Sequence, residues 1–306
     1  MRLVIDTDTA SDDAVALMLA IATPGTQVEA ITTVAGNVPL PQATANALVT
    51  TEFMGADIPV YAGRPGPLLR PAATAQHVHG PDGMSGVALP APARSPRPEH
   101  AVETLVRLAR ENPRELTLVT LGPLSNVATA LLVEPDLLRL YDRVYCMAGA
   151  PDGHGNISAV AEYNVWADPE AAAVVLAAPG DVTFVGWNVS RQSAVFTDAD
   201  QARLRRMGTP RADFLLDVNA AVADWCRTVT GLDGFDLPDP VAMAVALRPD
   251  LVLRSERLHA AVATGDESRG LLMIDRRRAA PPPNVTIVWD VDTAAFKADI
   301  DRLCAA

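Results

Sequence analysis

MRLVIDTDTASDDAVALMLA, residues 1–20, decides how the rest of the chain is read. Residues 2–5 form a short apolar run suited to a buried strand, and residues 14–20 read as a helix. Between them stand Asp6, Asp8, Asp12 and Asp13. Carboxylates this crowded oppose one another's ionisation unless a cation neutralises them. Hard oxygen ligands suit Ca²⁺ or Mg²⁺, whereas zinc favours His and Cys. The acids also fall at the carboxyl end of a strand, where open α/β sheets bind their ligands. A plain helix N-terminus, with Ser11 as cap and Asp12 and Asp13 complementing the dipole, leaves Asp6 and Asp8 unexplained.

Outward from this stretch, strand and helix patterns alternate. Residues 27–34 and 58–61 read as strands around an Ala-rich helix at 41–54. Further on, strands are expected at 116–121, 144–148 and 182–187, with helices at 99–110, 124–132 and from Pro169, capped by Asp168. Such alternation predicts an α/β fold with a mostly parallel central sheet and helices on both faces. Residues 63–98, rich in proline and glycine around HVHGPDGMSG, break the rhythm and predict a partly ordered loop over the site. Residues 149–168 read as a polar loop, and 198–228 as helical with a break near Gly208-Thr209-Pro210. The tail reads as strands at 251–262, 271–274 and 285–291 and a closing helix at 293–304. No repeat or linker interrupts the 306 residues, which are read as one domain.

Composition narrows the function. A formal charge of −12 argues against nucleic acid and anionic membranes and favours a neutral or cationic small substrate. No run of about 18 apolar residues is present to span a bilayer. Cys146, Cys226 and Cys304 are widely spaced and odd in number, which predicts free thiols in a reducing compartment. With no signal-peptide pattern at the N-terminus, a cytoplasmic protein is expected.

The opening motif, VIDTDTASDDAVALMLA, resembles the DxDxxxDDAxA signature of the inosine–uridine nucleoside hydrolase family, whose members cleave the N-glycosidic bond of ribonucleosides with a bound Ca²⁺. TTVAGN (32–37), LVTLGPLSNVA (118–128), GNISAVAEYNVWADPEAA (155–172) and LPDPVAMAVA (237–246) resemble further family segments. The resemblance implies that Asp8, Asp13, Asp239 and the Leu121 carbonyl hold Ca²⁺, with Asp6 as an outer support. It also implies that Asp8 acts as the base on a metal-held water, and that Asp12, Asn37 and Asn164 orient sugar and water. Asn156 and Glu162 would then grip the 5′ side of the ribose. Relatives are commonly dimers or tetramers, so a homo-oligomer acting on a nucleoside or N-riboside is expected.

Two positions depart from the family pattern. Pro238 stands where well-studied members carry the histidine that protonates the departing base, and Arg191 stands where another histidine is usual. Base preference is therefore expected to be atypical. His79 and His154 are candidate replacement donors, and Trp166, Trp187 and Trp225 are candidates for stacking on a flat base. A substrate whose base needs little protonation, or a weak enzyme, also fits. Two rivals remain: a non-catalytic nucleoside- or ribose-binding homologue, and a phosphatase of the haloacid dehalogenase type. The phosphatase needs a phosphate-gripping cation, and the only lysine, Lys297, lies in the last predicted helix.

Overall fold

Five of the six residues of β1 (Arg2–Thr7) are buried, as a strand covered on both faces requires. Leu3 and Ile5 face one hydrophobic layer and Val4 the other. The computed structural model describes residues 1–306. Ten further strands follow: β2 (Gln27–Thr33), β3 (Val60–Ala62), β4 (Leu116–Thr120), β5 (Arg143–Met147), β6 (Thr183–Val185), β7 (Val195–Phe196), β8 (Phe235–Asp236), β9 (Val252–Val262), β10 (Leu272–Asp275) and β11 (Val285–Val291).

Nine of these strands form one sheet in the order β10-β9-β11-β6-β5-β4-β1-β2-β3. All neighbours pair in parallel except β9 with β11 and β10 with β9. β7 and β8 form a separate antiparallel pair. The order runs outward from β1 through β2 to β3, and from β4 through β5 to β6 on the other side. The switch between β1 and β4 opens a crevice at their carboxyl ends, the usual ligand position in a doubly wound sheet.

Helices cover both faces. On one side α1 (Ser11–Ala22) packs with the helix Pro238–Leu247 and the closing helix Thr293–Cys304. On the other lie the helices Ala101–Glu111, Ser125–Val133 and Pro169–Ala177. The last begins at Pro169, and the carboxylate of Asp168 caps it by accepting the Ala171 N–H at 3.0 Å. No helix is long and apolar enough to cross a membrane.

Several local expectations change. α1 starts at Ser11, so Ser11 lies inside the helix and does not cap it. The Ala10 N–H is taken by Asp13 Oδ2 at 2.9 Å, because the Asp13 side chain folds back over the helix entrance. The polar loop at 149–168 contains a short helix, Tyr163–Ala167, capped by Glu162. The strand expected at 182–187 is only three residues long, since a helix, Trp187–Ser193, begins directly after Gly186. Within 63–98 a single turn of helix, Gln76–His79, is the main regular feature.

Leu17 is completely buried on the α1 side of the sheet. Leu17→Ala is expected to lower unfolding free energy by about 2–5 kcal/mol, the usual cost of a core cavity, measured by urea denaturation.

Candidate active site

The chain reaches the crevice through the β1–α1 turn. Backbone pairing fixes its floor, for the Leu121 N–H after β4 donates to the Asp6 carbonyl at 2.7 Å. Asp6 itself points away from the opening: its Oδ1 accepts from Thr32 Oγ1 at 2.6 Å and Asn126 Nδ2 at 2.8 Å. Burial still pushes its pKa up to about 7. Asp6 thus braces the turn from behind.

Asp12, Asp13 and Asp239 converge from α1 and the helix Pro238–Leu247, with one carboxylate oxygen of each within 4.8 Å of the others. Asp13 is held at both oxygens, by Thr7 Oγ1 at 2.5 Å and the Ala10 N–H. Asp8 lies outside that tight trio yet close enough to raise the pKa of Asp239. Its Oδ2 accepts the Asn37 N–H at 2.6 Å, whereas its Oδ1 is buried with no partner. Asp12 Oδ1 is likewise buried and unpaired.

Backbone closeness confines Asp8. A Cβ on Gly122 would stand 2.6 Å from Asp8 Oδ1, and one on Gly36 would strike Asp8 Oδ2 and Pro123. Glycine is needed at both positions for the loops after β2 and β4 to close against the acid.

The electrostatics follow from this crowding. Burial and then Asp13 push Asp8 well above the usual carboxylate range, and burial, Asp13, Asp12 and Asp8 do the same to Asp239. Asp12 is raised to about 6 by burial and then Asp236, and Asp13 to about 6 by burial and Asp12. Four buried carboxylates, of which Asp8 and Asp12 each keep an unpaired oxygen, with no lysine or arginine paired to any of them, form the donor set of a hard divalent cation. The residues present therefore fit a metal, which would relieve their mutual repulsion.

Above the acids lies a cavity of about 390 Å³, and no lysine or arginine lines it. Asp12, Asn37, Leu121, Asn156, Glu162 and Asn164 line it together with Asp239 and His79. Asp8 and Asp13 sit beneath, completely buried. Asn164 Nδ2 donates to the Leu121 carbonyl at 2.6 Å and the Met147 carbonyl at 3.1 Å. Glu162 accepts from the Gly149 and Asn164 N–H groups at 2.7 and 2.6 Å, and burial lifts its pKa to about 7. Asn156 Oδ1 takes the Tyr163 N–H at 2.9 Å. These contacts hold the polar loop in place while leaving other atoms free to meet a sugar.

The far wall is largely apolar, with Val78, Val222, Val229, Trp187, Trp225 and Pro238. Trp166 lies outside the cavity, packed under the Arg269 guanidinium. His154 is exposed and does not line it, and Arg191, paired with Asp152, lies over the Trp187 ring without lining the cavity. His79 is buried, and that burial lowers its pKa to about 4. Sequence reasoning missed Asp236, which anchors Trp187 Nε1 at 2.9 Å and Ser190 Oγ at 2.6 Å. Nothing marks it in the sequence, since only the fold brings β8 beside the helix Trp187–Ser193.

Fold and site together define an α/β protein with a carboxylate nest under a cavity at the sheet's switch point. The sequence profile described as inosine-uridine preferring nucleoside hydrolase matches residues 3–298. An uncharacterized protein of Schizosaccharomyces pombe is 37% identical, over 97% of this chain and 96% of its own. The pyrimidine-specific ribonucleoside hydrolase RihA of Salmonella paratyphi A is 34% identical, over 97% of this chain and 96% of its own. Among solved structures, a plant nucleoside hydrolase superposes with a TM-score of 0.93 at 30% identity, covering 100% of this chain and 99% of its own. A purine-preferring ribonucleoside hydrolase of Gardnerella vaginalis gives 0.92 at 28% identity, with coverage of 100% and 99%. The chain belongs to the inosine-uridine preferring nucleoside hydrolase family, and it is an enzyme.

A cation that relieves the acid cluster must stabilise the fold. A divalent ion at about 100 times its Kd is expected to add about 2.7 kcal/mol, read as a rise in melting temperature that a chelator reverses. Asp239→Asn should abolish most of that rise. Gly122→Ala, which crowds Asp8, should weaken the response to the ion as well.

Proposed function

We propose that this enzyme hydrolyses the N-glycosidic bond of a ribonucleoside or related N-riboside, yielding ribose and free base, with Ca²⁺ as its cofactor. The observation that carries this reading is the set of buried, unpaired carboxylate oxygens beneath a cavity edged by asparagines and a glutamate. Asp8, Asp13, Asp239 and the Leu121 carbonyl would hold the ion, with Asp12 beside them. The carbonyl accepts one hydrogen bond from Asn164 and keeps a second lone pair for this purpose. When bound, the cation offsets the carboxylate charge, grips vicinal hydroxyls and makes water more acidic.

The chain's own residues do the rest. Asp8 takes a proton from the attacking water as its oxygen bonds to the anomeric carbon. The C–N bond breaks with its electron pair going to the base, through an oxocarbenium-like state. Asp12, Asn37 and Asn164 orient the sugar and water, and Asn156 and Glu162 hold the 5′ side. Pro238 transfers no proton, so base preference departs from that of enzymes with a histidine at this position. Trp187 and Trp225 supply flat apolar surface on the base side. Three buried, unpaired cysteines suit a reducing compartment such as the cytoplasm. A homodimer or homotetramer is the assembly we propose by family resemblance, and light scattering reads it.

A phosphatase reading loses support from the cavity, which lacks a cation to grip phosphate; Lys297 pairs instead with Asp200 at 2.7 Å. Assays on inosine, uridine, cytidine and nicotinamide riboside, with and without chelator, test the proposal. Chelator-sensitive release of free base is expected. Asp8→Asn should reduce kcat by about 10²–10⁴-fold, the range for loss of a general base. Calorimetry showing nucleoside binding with no product from any of the four would instead support a non-catalytic binding homologue.

A further inference from the structure

Ser11 is the first residue of α1 and is completely buried, one position past the N-cap, Ala10, whose N–H goes to Asp13. Its hydroxyl makes one side-chain contact, to Nδ1 of His79 at 2.8 Å. A buried O–H without an acceptor is costly, and Nδ1 is the acceptor within reach. With Ser11 as the donor to Nδ1, the ring proton of the neutral imidazole rests on Nε2, while Asp12 Oδ1 stands 3.8 Å from Nδ1, beyond hydrogen-bond reach. Protonation of the ring would keep an N–H at Nε2, so the assignment of that donor does not turn on charge.

The backbone around His79 is equally fixed. Its N–H donates to the Ala75 carbonyl at 3.1 Å, and its carbonyl accepts the Ser85 N–H at 2.8 Å. Gly80 follows with φ +85, turning the chain back at once. The ring lines the cavity beside Val78 and Asp12, and Nε2 makes no hydrogen bond to the protein. Nor is Nε2 among the enclosed polar atoms that lack partners. A pinned ring thus presents one unpaired donor to the cavity, on a chain that has proline where a donor is usual in its family.

We propose that Ser11 is a positioning residue that locks His79 with its Nε2–H toward the departing nucleobase, where it stabilises the charge arriving on the leaving ring. This rests on the nucleoside hydrolase reading above and assigns the substrate class more closely: a neutral nucleobase with an acceptor atom near the glycosidic nitrogen. As the C–N bond breaks, its electron pair moves onto the base, and the Nε2–H hydrogen bond strengthens against it. Water delivers the base's final proton, so His79 keeps its own. A neutral imidazole acting this way, as an electrophile rather than an acid, has precedent in enzyme chemistry.

The test compares uridine and inosine with p-nitrophenyl β-D-ribofuranoside, whose phenolate leaves without help. His79→Ala should lower kcat on the nucleosides by on the order of 10²-fold, as loss of one charge-stabilising donor does. Ser11→Ala should lower it by about tenfold, the value of one oriented hydrogen bond. On the aryl riboside both losses should shrink by about tenfold or more, and Ser11→Thr, which keeps the hydroxyl, should recover most of the nucleoside activity. In ¹⁵N-resolved NMR the wild-type His79 ring should show the Nε2–H tautomer, and Ser11→Ala should give a mixture. Equal losses on both substrate types, or an Nδ1–H tautomer in the wild type, overturn the proposal while leaving the nucleosidase reading intact. Failure of the wild type to cleave any riboside overturns both.

Discussion

Repulsion among buried carboxylates is the constraint around which this molecule is built. Asp8, Asp12, Asp13 and Asp239 share one nest, and no lysine or arginine reaches the cavity above it. Left alone, burial lifts the pKa of all four, and neighbouring acids lift Asp8, Asp13 and Asp239 further, so the fold carries that cost at its centre. Such an arrangement makes physical sense where a cation completes it. The surroundings are consistent with this, since Thr7, Ala10 and Asn37 aim chosen oxygens and leave Asp8 Oδ1 and Asp12 Oδ1 unpaired.

The sheet explains how acids so far apart in sequence meet. The switch between β1 and β4 leaves space at their carboxyl ends, and Gly36 and Gly122 let two loops close on Asp8. Asp239 arrives on a helix that packs against α1, so the same apolar layer that supports the sheet also sets the acid spacing. The polar loop at 149–168 completes the wall because Glu162 caps a short helix and Asn164 ties it to the Leu121 and Met147 carbonyls. Packing and chemistry are therefore inseparable here: small shifts of α1 would move Asp12 and Asp13 together.

Much of this is legible in the amino-acid sequence. The parallel α/β architecture follows from strand and helix spacing, and the closing helix runs over 293–304 as its apolar pattern requires. Asp168 reads as a cap because Pro169 follows it. The short helices at Tyr163–Ala167 and Trp187–Ser193 were hidden, since each is too brief for periodicity to register and depends on contacts made at a distance. Ser11 reads as a cap because serine before a helix commonly is one; the cap position falls instead on Ala10, whose N–H the Asp13 side chain accepts by folding back, a turn that sequence does not encode locally. The acids Asp8, Asp12, Asp13 and Asp239 were visible as types, but their grouping, with Asp12 inside the tight trio and Asp8 at its edge, is a property of three dimensions. Asp236 carried no sequence signal at all.

The central claim is that these acids form one binding site for a single divalent ion. Elemental analysis of the purified, exhaustively dialysed protein, with and without added Ca²⁺, measures it directly. One tightly held divalent ion per chain, lost when Asp13 and Asp239 are both replaced by Asn, is the predicted result. A wild-type chain that retains no divalent ion even after Ca²⁺ loading would contradict the account at its root.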